Sequence, residues 1–214
     1  MVLLAKHPIA SQYNLSSIKI AYCGAAPLSR EVEDLVKSRH KIACIRNGYG
    51  MTEGSLSFTA QSHSHQKPGS VGTLRMGAYA RVIDSETGRT LGPYEQGELC
   101  FKSESNMMGY VDDIKATQET IDSDGWLHTG DVGYYDSDAE FFIVDRLKEL
   151  IKYKGFQVPP AEIEDLLLQH PAVADSAVIG IPDDESGELP LAFIVKQKGV
   201  NVTEKEIIHF IAGK

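Results

Sequence analysis

The sequence predicts an α/β unit followed by a smaller α+β unit, and three observations predict it. Residues 18–45 run strand, helix, strand, the order found at the rim of a parallel sheet. Residues 66–145 carry short alternating runs broken by Thr87-Gly88, Leu91-Gly92-Pro93 and Gln96-Gly97, the texture of an antiparallel meander or small barrel. Beyond residue 149 a strand pair, a helix opened by Pro159-Pro160 and two more strands make a separate α+β unit. The boundary falls at 145–149. There is no internal repeat and no low-complexity tract.

The elements follow in order. Met1 to Lys6 read as the last turn of a helix stopped by His7-Pro8. Residues 18–23 read as a buried strand, turned by Gly24-Ala25-Ala26-Pro27. Ser29 is placed to cap a helix whose apolar stripe is Val32, Leu35 and Val36. A short strand at 42–45 leads into a loop, Asn47-Gly48-Tyr49-Gly50. Alternation predicts strands at 80–84, 98–102 and 141–144, then at 149–154 and 156–158. The helix after Pro160 turns Ile163, Leu166 and Leu167 inward and halts at His170-Pro171. Strands at 172–181 and 189–196 follow. Thr203-Glu204-Lys205-Glu206 is a capping box opening an amphipathic helix through Ile207, Ile208 and Ile211. The chain stops about two turns later, so the sequence reads as a piece of a longer protein.

Composition narrows the function. The chain has 214 residues, 42% hydrophobic and 24% charged, enough for a real core in one large or two small domains. A formal net charge of −9 argues against a nucleic-acid surface, which needs a basic stripe. It leaves room for an anionic small ligand held by local amides, one cation and a metal. Cys23, Cys44 and Cys100 have no close pairing, and suit a reduced compartment rather than a disulfide scaffold or zinc site. No apolar run approaches the ~18 residues of a membrane span, and the first residues are too short for a signal peptide.

Three loops carry chemistry. Asn47-Gly48-Tyr49-Gly50-Met51-Thr52-Glu53 puts small residues where a flat ring can approach the backbone, then a hydroxyl beside a carboxylate suited to a phosphate oxygen and its Mg²⁺. Asp124-Gly125-Trp126-Leu127-His128-Thr129-Gly130-Asp131 ends in an acid able to accept both hydroxyls of a ribose. Residues 145–155 put four cations, Arg146, Lys148, Lys152 and Lys154, at the boundary between the units. Singly, each also reads as an ordinary surface turn or solvated strand edge.

Together and in this order, these segments resemble the adenylate-forming superfamily of acyl-CoA synthetases, 4-coumarate–CoA ligases and firefly luciferases. The resemblance covers essentially the whole chain. It is carried by Gly24-Ala25-Ala26-Pro27-Leu28, by Gly48 to Glu53, and by Gly97-Glu98-Leu99 through Gly109-Tyr110. Gly125 to Asp131 and Asp145-Arg146-Leu147-Lys148 through Ala161-Glu162 continue it. The resemblance implies that the chain comprises the end of a large adenylate-forming domain (1–145), a hinge (146–148) and a truncated small domain (149–214). It implies ATP, Mg²⁺ and CoA as cofactors and an apolar or aromatic carboxylic acid as substrate. Ala25, Ala26, Asn47, Gly48 and Tyr49 would sandwich adenine, Thr52 would bind phosphate, and Glu53 would hold Mg²⁺. Asp131 and Arg146 would fix the ribose, and Lys148 would be the hinge. Lys152, Lys154, Gly155 and Gln157 would face AMP and CoA in a rotated state, and Gly48, Gly50, Met51 and Leu56 would line the acyl pocket. The resemblance also implies an intracellular protein, peroxisomal or cytoplasmic, with any targeting tail outside this chain.

Two family parts are absent from the sequence. No Ser/Thr/Gly-rich phosphate loop ending in Gly-Lys occurs, and Ala212-Gly213-Lys214 is not the family's catalytic-lysine motif. Losing a cation aimed at developing phosphoryl charge costs ~10²–10³ in rate, so weak activity of the chain alone is expected. Cys23 replaces the usual small residue, and Lys102-Ser103 stands where a basic residue and glycine are usual. His63 and His65 read as a polar loop, Asp122-Ser123-Asp124 and Asp136-Ser137-Asp138 as turns, Asp183-Asp184-Glu185 as a solvated loop, and Trp126 as packing. Two alternatives stay open: a luciferase-like oxygenase using the same adenylate, and a non-catalytic product retaining a nucleotide-binding surface.

Overall fold

The computed structural model describes residues 1–25, 28, 30–55 and 57–212. The chain divides into two compact units, Met1–Ile143 and Val144–Lys214. The first begins with helix α1 (Val2–Lys6), strand β1 (Ile20–Cys23), helix α2 (Arg30–His40) and strand β2 (Cys44–Tyr49). β1 and β2 are parallel, Cys23 lying opposite Asn47, as the strand–helix–strand order requires. The short strands β3 (Thr59–Ala60), β4 (Gly72–Leu74) and β5 (Ala78–Ile83) follow, then β6 (Gly97–Ser103), helix α3 (Ile114–Thr120), β7 (Leu127–Tyr135) and β8 (Glu140–Arg146). The eight strands form one sheet of order β1-β2-β3-β4-β8-β7-β6-β5. β2–β3, β3–β4, β4–β8, β5–β6 and β6–β7 all pair antiparallel.

Two apolar clusters hold this unit. Ala5, Val36, Ile42 and Ile45 close α1 and α2 over β2. Phe58, Val82, Leu91, Leu99, Phe101, Leu127 and Phe141 form the larger core, with Phe58 stacked on Phe101 at 4.2 Å between ring centroids. Arg39 ties α2 to α1 by donating to the carbonyls of Ala5 (2.6 Å) and His7 (2.9 Å).

In this unit three local expectations need correction, and one helix was not foreseen. β1 is not buried: it is an edge strand, and Tyr22 is 70% exposed. In α2, Val36 is fully buried but Leu35 points to solvent. The strand expected at 42–45 begins and ends later, and Asn47, Gly48 and Tyr49 are strand rather than loop. Their backbone pairs with β3, Gly48 opposite Ala60 and Tyr49 opposite Thr59, so tertiary pairing outweighs the turn propensity of Asn-Gly. Helix α3 had no counterpart in the sequence reading; Asp113 caps it, accepting from the Ala116 amide at 2.9 Å. The cap expected of Ser29 and the terminal Gly213-Lys214 lie outside the described residues.

The second unit holds β9 (Ile151–Tyr153), β10 (Phe156–Val158), α4 (Pro160–Leu168), β11 (Val173–Asp183), β12 (Gly187–Lys196) and α5 (Glu204–Ala212). Its sheet runs β10-β9-β12-β11 and its core comprises Ile151, Leu167, Ala172, Val173, Val178, Val202 and Ile207. On α4, Ile163 and Leu168 flank buried Leu167, where Leu166 was expected to join it. The capping box of α5 forms in full. Glu206 accepts from the Thr203 amide at 2.8 Å, and Thr203 Oγ1 accepts from the Glu206 amide at 3.3 Å. Among the described residues no helix is long and apolar enough to cross a membrane.

The Asp136-Ser137-Asp138 turn is sealed by Lys67, whose ammonium donates to both carboxylates. Asp136 is 3% exposed. Burial alone would raise its pKa, but the Lys67 bond and the amides of Glu140 and Asp138 outweigh that and hold it below the ordinary aspartate value. A depressed pKa means stability that is present above the unfolded value of about 3.9 and lost as pH falls through the folded one. Asp136→Asn is therefore expected to lower the urea midpoint at pH 7, and the gap from wild type should shrink toward pH 3. A gap that stays constant with pH would show that the ionised carboxylate contributes nothing.

Candidate functional site

β2 ends at the site, and a buried amide fixes it there. Gln61, 2% exposed, accepts from the Asn47 amide through Oε1 (2.9 Å) and donates its own backbone amide to the Asn47 carbonyl (2.9 Å). Its Nε2 donates to the carbonyls of Lys67 (2.8 Å) and Ser70 (3.0 Å). Asn47 itself is 6% exposed, and its side-chain Oδ1 is buried with no hydrogen-bond partner among the described residues. Such an orphaned acceptor is costly unless a ligand supplies a donor. A Cβ on Gly24 would lie 3.3 Å from the Gly48 carbonyl, and one on Gly48 would lie 3.1 Å from that of Thr59. Glycine at 24 lets the end of β1 approach β2, and glycine at 48 lets β2 approach β3. Ala25 beside it is exposed with φ +68°, a left-handed conformation uncommon outside glycine.

Tyr49 joins two distant motifs. Its ring leans on Phe58 and Phe101, with centroids 6.2 and 5.9 Å away, and its hydroxyl donates to Asp131 Oδ2 at 2.6 Å. The Asp131 amide donates to Thr129 Oγ1 (3.0 Å), and Glu98 Oε1 accepts from the Gly130 amide (3.0 Å). Gly130 has φ +68°, so the strand can bend just before the acid. Gly50 and Met51 follow β2 directly, Met51 packing against the main core.

Thr52 to Gly54 make one turn of 3₁₀ helix. Thr52 is exposed and Glu53 half-buried. Glu53 Oε1 accepts the Tyr110 hydroxyl at 2.8 Å, and its carbonyl accepts the Met107 amide at 2.7 Å. Accepting that phenol holds the Tyr110 pKa above its ordinary value. The remaining carboxylate oxygen is a hard donor of the kind Mg²⁺ takes. Ala26 and Leu56 lie outside the described residues.

The other residues singled out by sequence belong to the second unit. Arg146 ends β8, exposed, 3.7 Å from Glu149. Lys148 is exposed in a single 3₁₀ turn (Leu147–Glu149) between strands. Lys152 and Gln157 are cross-strand partners, and Lys154 (φ +48°) with Gly155 (φ +84°) makes the two-residue turn between them. Positive φ at both central positions is the type I′ hairpin turn. One hairpin thus presents Lys152, Lys154, Gly155 and Gln157, all exposed. Glu188 Oε2 accepts the Lys152 amide at 2.7 Å, anchoring the hairpin to β12.

Sequence reasoning missed Gln61, Thr129 and Tyr110, whose roles come from contacts across the sheet. His65 lies 3.9 Å from Glu140, and Arg81 covers the Trp126 ring at 4.4 Å, so Trp126 is packed as expected.

Residues 1–111 match the AMP-binding enzyme family and residues 162–214 the AMP-binding enzyme C-terminal domain. The chain belongs to the AMP-binding enzyme family. It is 48% identical to luciferin 4-monooxygenase of Luciola mingrelica over 209 residues, 98% of this chain and 38% of that protein. It is 50% identical to the probable 4-coumarate–CoA ligase 3 of Dictyostelium discoideum over 214 residues, covering 100% and 39% respectively. Among solved structures, an anthranilate–CoA ligase in complex with anthranoyl-AMP superposes with a TM-score of 0.87 at 29% identity, covering 99% of this chain and 41% of that one. ATP-bound MatB of Rhodopseudomonas palustris gives 0.84 at 33% identity, over 90% and 38%. The chain thus spans about two-fifths of the length of the curated relatives it matches.

The loop carrying Glu53 is set by one close approach. A Cβ on Gly54 would lie 2.1 Å from Phe58 Cζ, inside a ring that is 1% exposed. Gly54→Ala should cost ~1–3 kcal/mol in urea unfolding as the ring is forced aside. An unchanged midpoint would mean that the loop does not rest on Phe58.

Proposed function

We propose that this chain carries the nucleotide-binding edge and interdomain boundary of an ATP-dependent acid–thiol ligase. What supports the reading is the 2.6 Å bond from Tyr49 to Asp131, which joins the two glycine-bounded motifs beside the unpartnered Asn47 acceptor. In this reading Ala25, Ala26, Asn47, Gly48 and Tyr49 border the adenine, with Asn47 Oδ1 accepting from its exocyclic amine. Asp131 and Arg146 take the ribose hydroxyls, and Thr52 a phosphate oxygen. Glu53 holds Mg²⁺, which supplies charge neutralisation on the phosphate oxygens.

The reaction needs positioning rather than a protein nucleophile. A carboxylate oxygen of the acid attacks the α-phosphorus, and the bond to pyrophosphate breaks. The CoA sulfur then attacks the acyl carbon and AMP leaves. Gly48, Gly50, Met51 and Leu56 border the acid, and their small or apolar character favours an apolar or aromatic one. The first domain is 1–145, the hinge 146–148 and the small domain 149–214. Lys148 absorbs the backbone change between the two steps. The hairpin bearing Lys152, Lys154, Gly155 and Gln157 serves the second step, on the AMP and CoA side. Three free thiols suit an intracellular, reducing compartment, cytoplasmic or peroxisomal.

A second reading rests on the 48% identity to luciferin 4-monooxygenase: the same adenylate would react with O₂ instead of a thiol.

Calorimetric titration of the folded chain with AMP tests the shared first step. Binding is expected, weakened at least about tenfold in Asp131→Ala, the loss of one charge-assisted contact. Pyrophosphate exchange with fatty, cinnamic and luciferin-like acids is expected to be slow, by ~10²–10³ for want of a phosphate-loop cation. No AMP binding by a folded chain would sink the nucleotide-site reading. CoA-dependent thioester formation or light emission would then separate ligase from oxygenase.

A further inference from the structure

The face of β6 away from the aromatic core is built from polar donors. Side chains alternate along a strand; Leu99 and Phe101 enter the core cluster, while Glu98 and Cys100 share the opposite face. Cys100 lies directly across from His128 on β7 and from Arg81 on β5. Glu98 is 8% exposed and Cys100 is fully buried.

Glu98, Cys100 and His128 each bring one donor atom to a common point, the three atoms lying within 4.8 Å of one another. His128 Nδ1 is 3.0 Å from Glu98 Oε2 and 3.6 Å from Cys100 Sγ. One proton on that nitrogen serves only one of the two neighbours. A cation at the point would serve oxygen, nitrogen and sulfur at once. The rest of the constellation is arranged as metal sites arrange their outer groups. His128 Nε2 lies 3.5 Å from Asp122 Oδ2, which also takes Arg81 Nη2 at 2.9 Å, while Asp122 Oδ1 accepts the amides of Asp124 and Trp126. Glu98 is oriented by its other oxygen, which holds the Gly130 amide at 3.0 Å. Charge closes too: a carboxylate and a thiolate balance a divalent ion, and Arg81 balances Asp122.

We propose that Glu98, Cys100 and His128 bind a thiophilic divalent cation, Zn²⁺ in preference to Mg²⁺. A thiolate, an imidazole and a carboxylate are zinc donors, and water completes a tetrahedron; Mg²⁺ selects an all-oxygen octahedron. The site is separate from Glu53 and independent of the nucleotide reading.

Co²⁺ titration of the purified, reduced chain tests it, with folding followed by circular dichroism. One equivalent is expected to produce a thiolate-to-Co²⁺ charge-transfer band that Zn²⁺ displaces and Mg²⁺ does not. Cys100→Ser should abolish the band, and Cys23→Ser should leave it. No band from the folded chain, or an undiminished band in Cys100→Ser, would overturn the proposal. If Cys100→Ser fails to fold, His128→Gln takes over, since that ring is 26% exposed. It should weaken Co²⁺ by roughly tenfold or more, and unchanged affinity would overturn the site.

Discussion

The first unit depends on one stack of aromatic rings. Phe58 lies flat on Phe101 at 4.2 Å, and the space where Gly54 would carry a Cβ is filled by the Phe58 ring. That contact sets how closely the Thr52–Gly54 turn can approach the sheet, and so where Glu53 stands. Tyr49 leans on both rings, and the Phe58 amide donates to the Tyr49 carbonyl at 2.8 Å. Its hydroxyl is therefore delivered to Asp131 by packing, not by loop preference. Interiors packed at crystal-like density transmit such constraints without slack. The candidate site is thus the polar rim of the core, its donors carried by the residues that fill it.

The second unit solves its own problem locally. Asp145 Oδ2 accepts the Ala161 amide at 3.0 Å, supplying an acceptor for the first turn of α4 from a residue fifteen positions before its first helical one. Asp145 Oδ1 accepts the Arg146 amide at 2.7 Å. The residue just before the expected hinge is therefore spoken for on both oxygens, while Lys148 stays exposed. Farther on, Glu188 takes the Lys152 amide and the Ser186 carbonyl accepts from Lys154 at 2.8 Å. Ile151 roots the hairpin in the core, and these backbone bonds hold its tip, where Lys152, Lys154 and Gln157 stay exposed.

Periodicity and caps made most of the fold legible in the sequence. The parallel β1–β2 pair, the antiparallel run, the Pro-started α4 and the α5 capping box are all local signals, and local signals survive without knowledge of neighbours. What stayed hidden is non-local. Asn47-Gly48-Tyr49 reads as a turn by composition, and only the β3 partner makes it strand. Leu35 fits an apolar stripe, yet it is 42% exposed while Val36 beside it is fully buried. Gln61 looks like one polar loop residue among several, although its amide links Asn47 to Lys67 and Ser70. For the site, the motifs named Tyr49, Glu53 and Asp131 at once. The bond that joins Tyr49 to Asp131 across 82 residues has no sequence signature.

Cysteine spacing shows the same limit from the other side. Three widely separated thiols read against a zinc site, because spacing rules describe ligands supplied by adjacent turns. A β-sheet supplies ligands differently: strand neighbours bring Cys100 and His128 together from 28 positions apart, and alternation adds Glu98 beside them. The outcome is two donor sets of different hardness in one unit. Glu53, flanked by a phenol and a backbone amide, offers oxygen alone, whereas the β6–β7 face offers sulfur, nitrogen and oxygen together. Ligand type and geometry, rather than raw affinity, decide which metal such sites select. Glu98 spans both roles of its face: one oxygen holds the Gly130 amide, and the other stands 3.0 Å from His128 Nδ1.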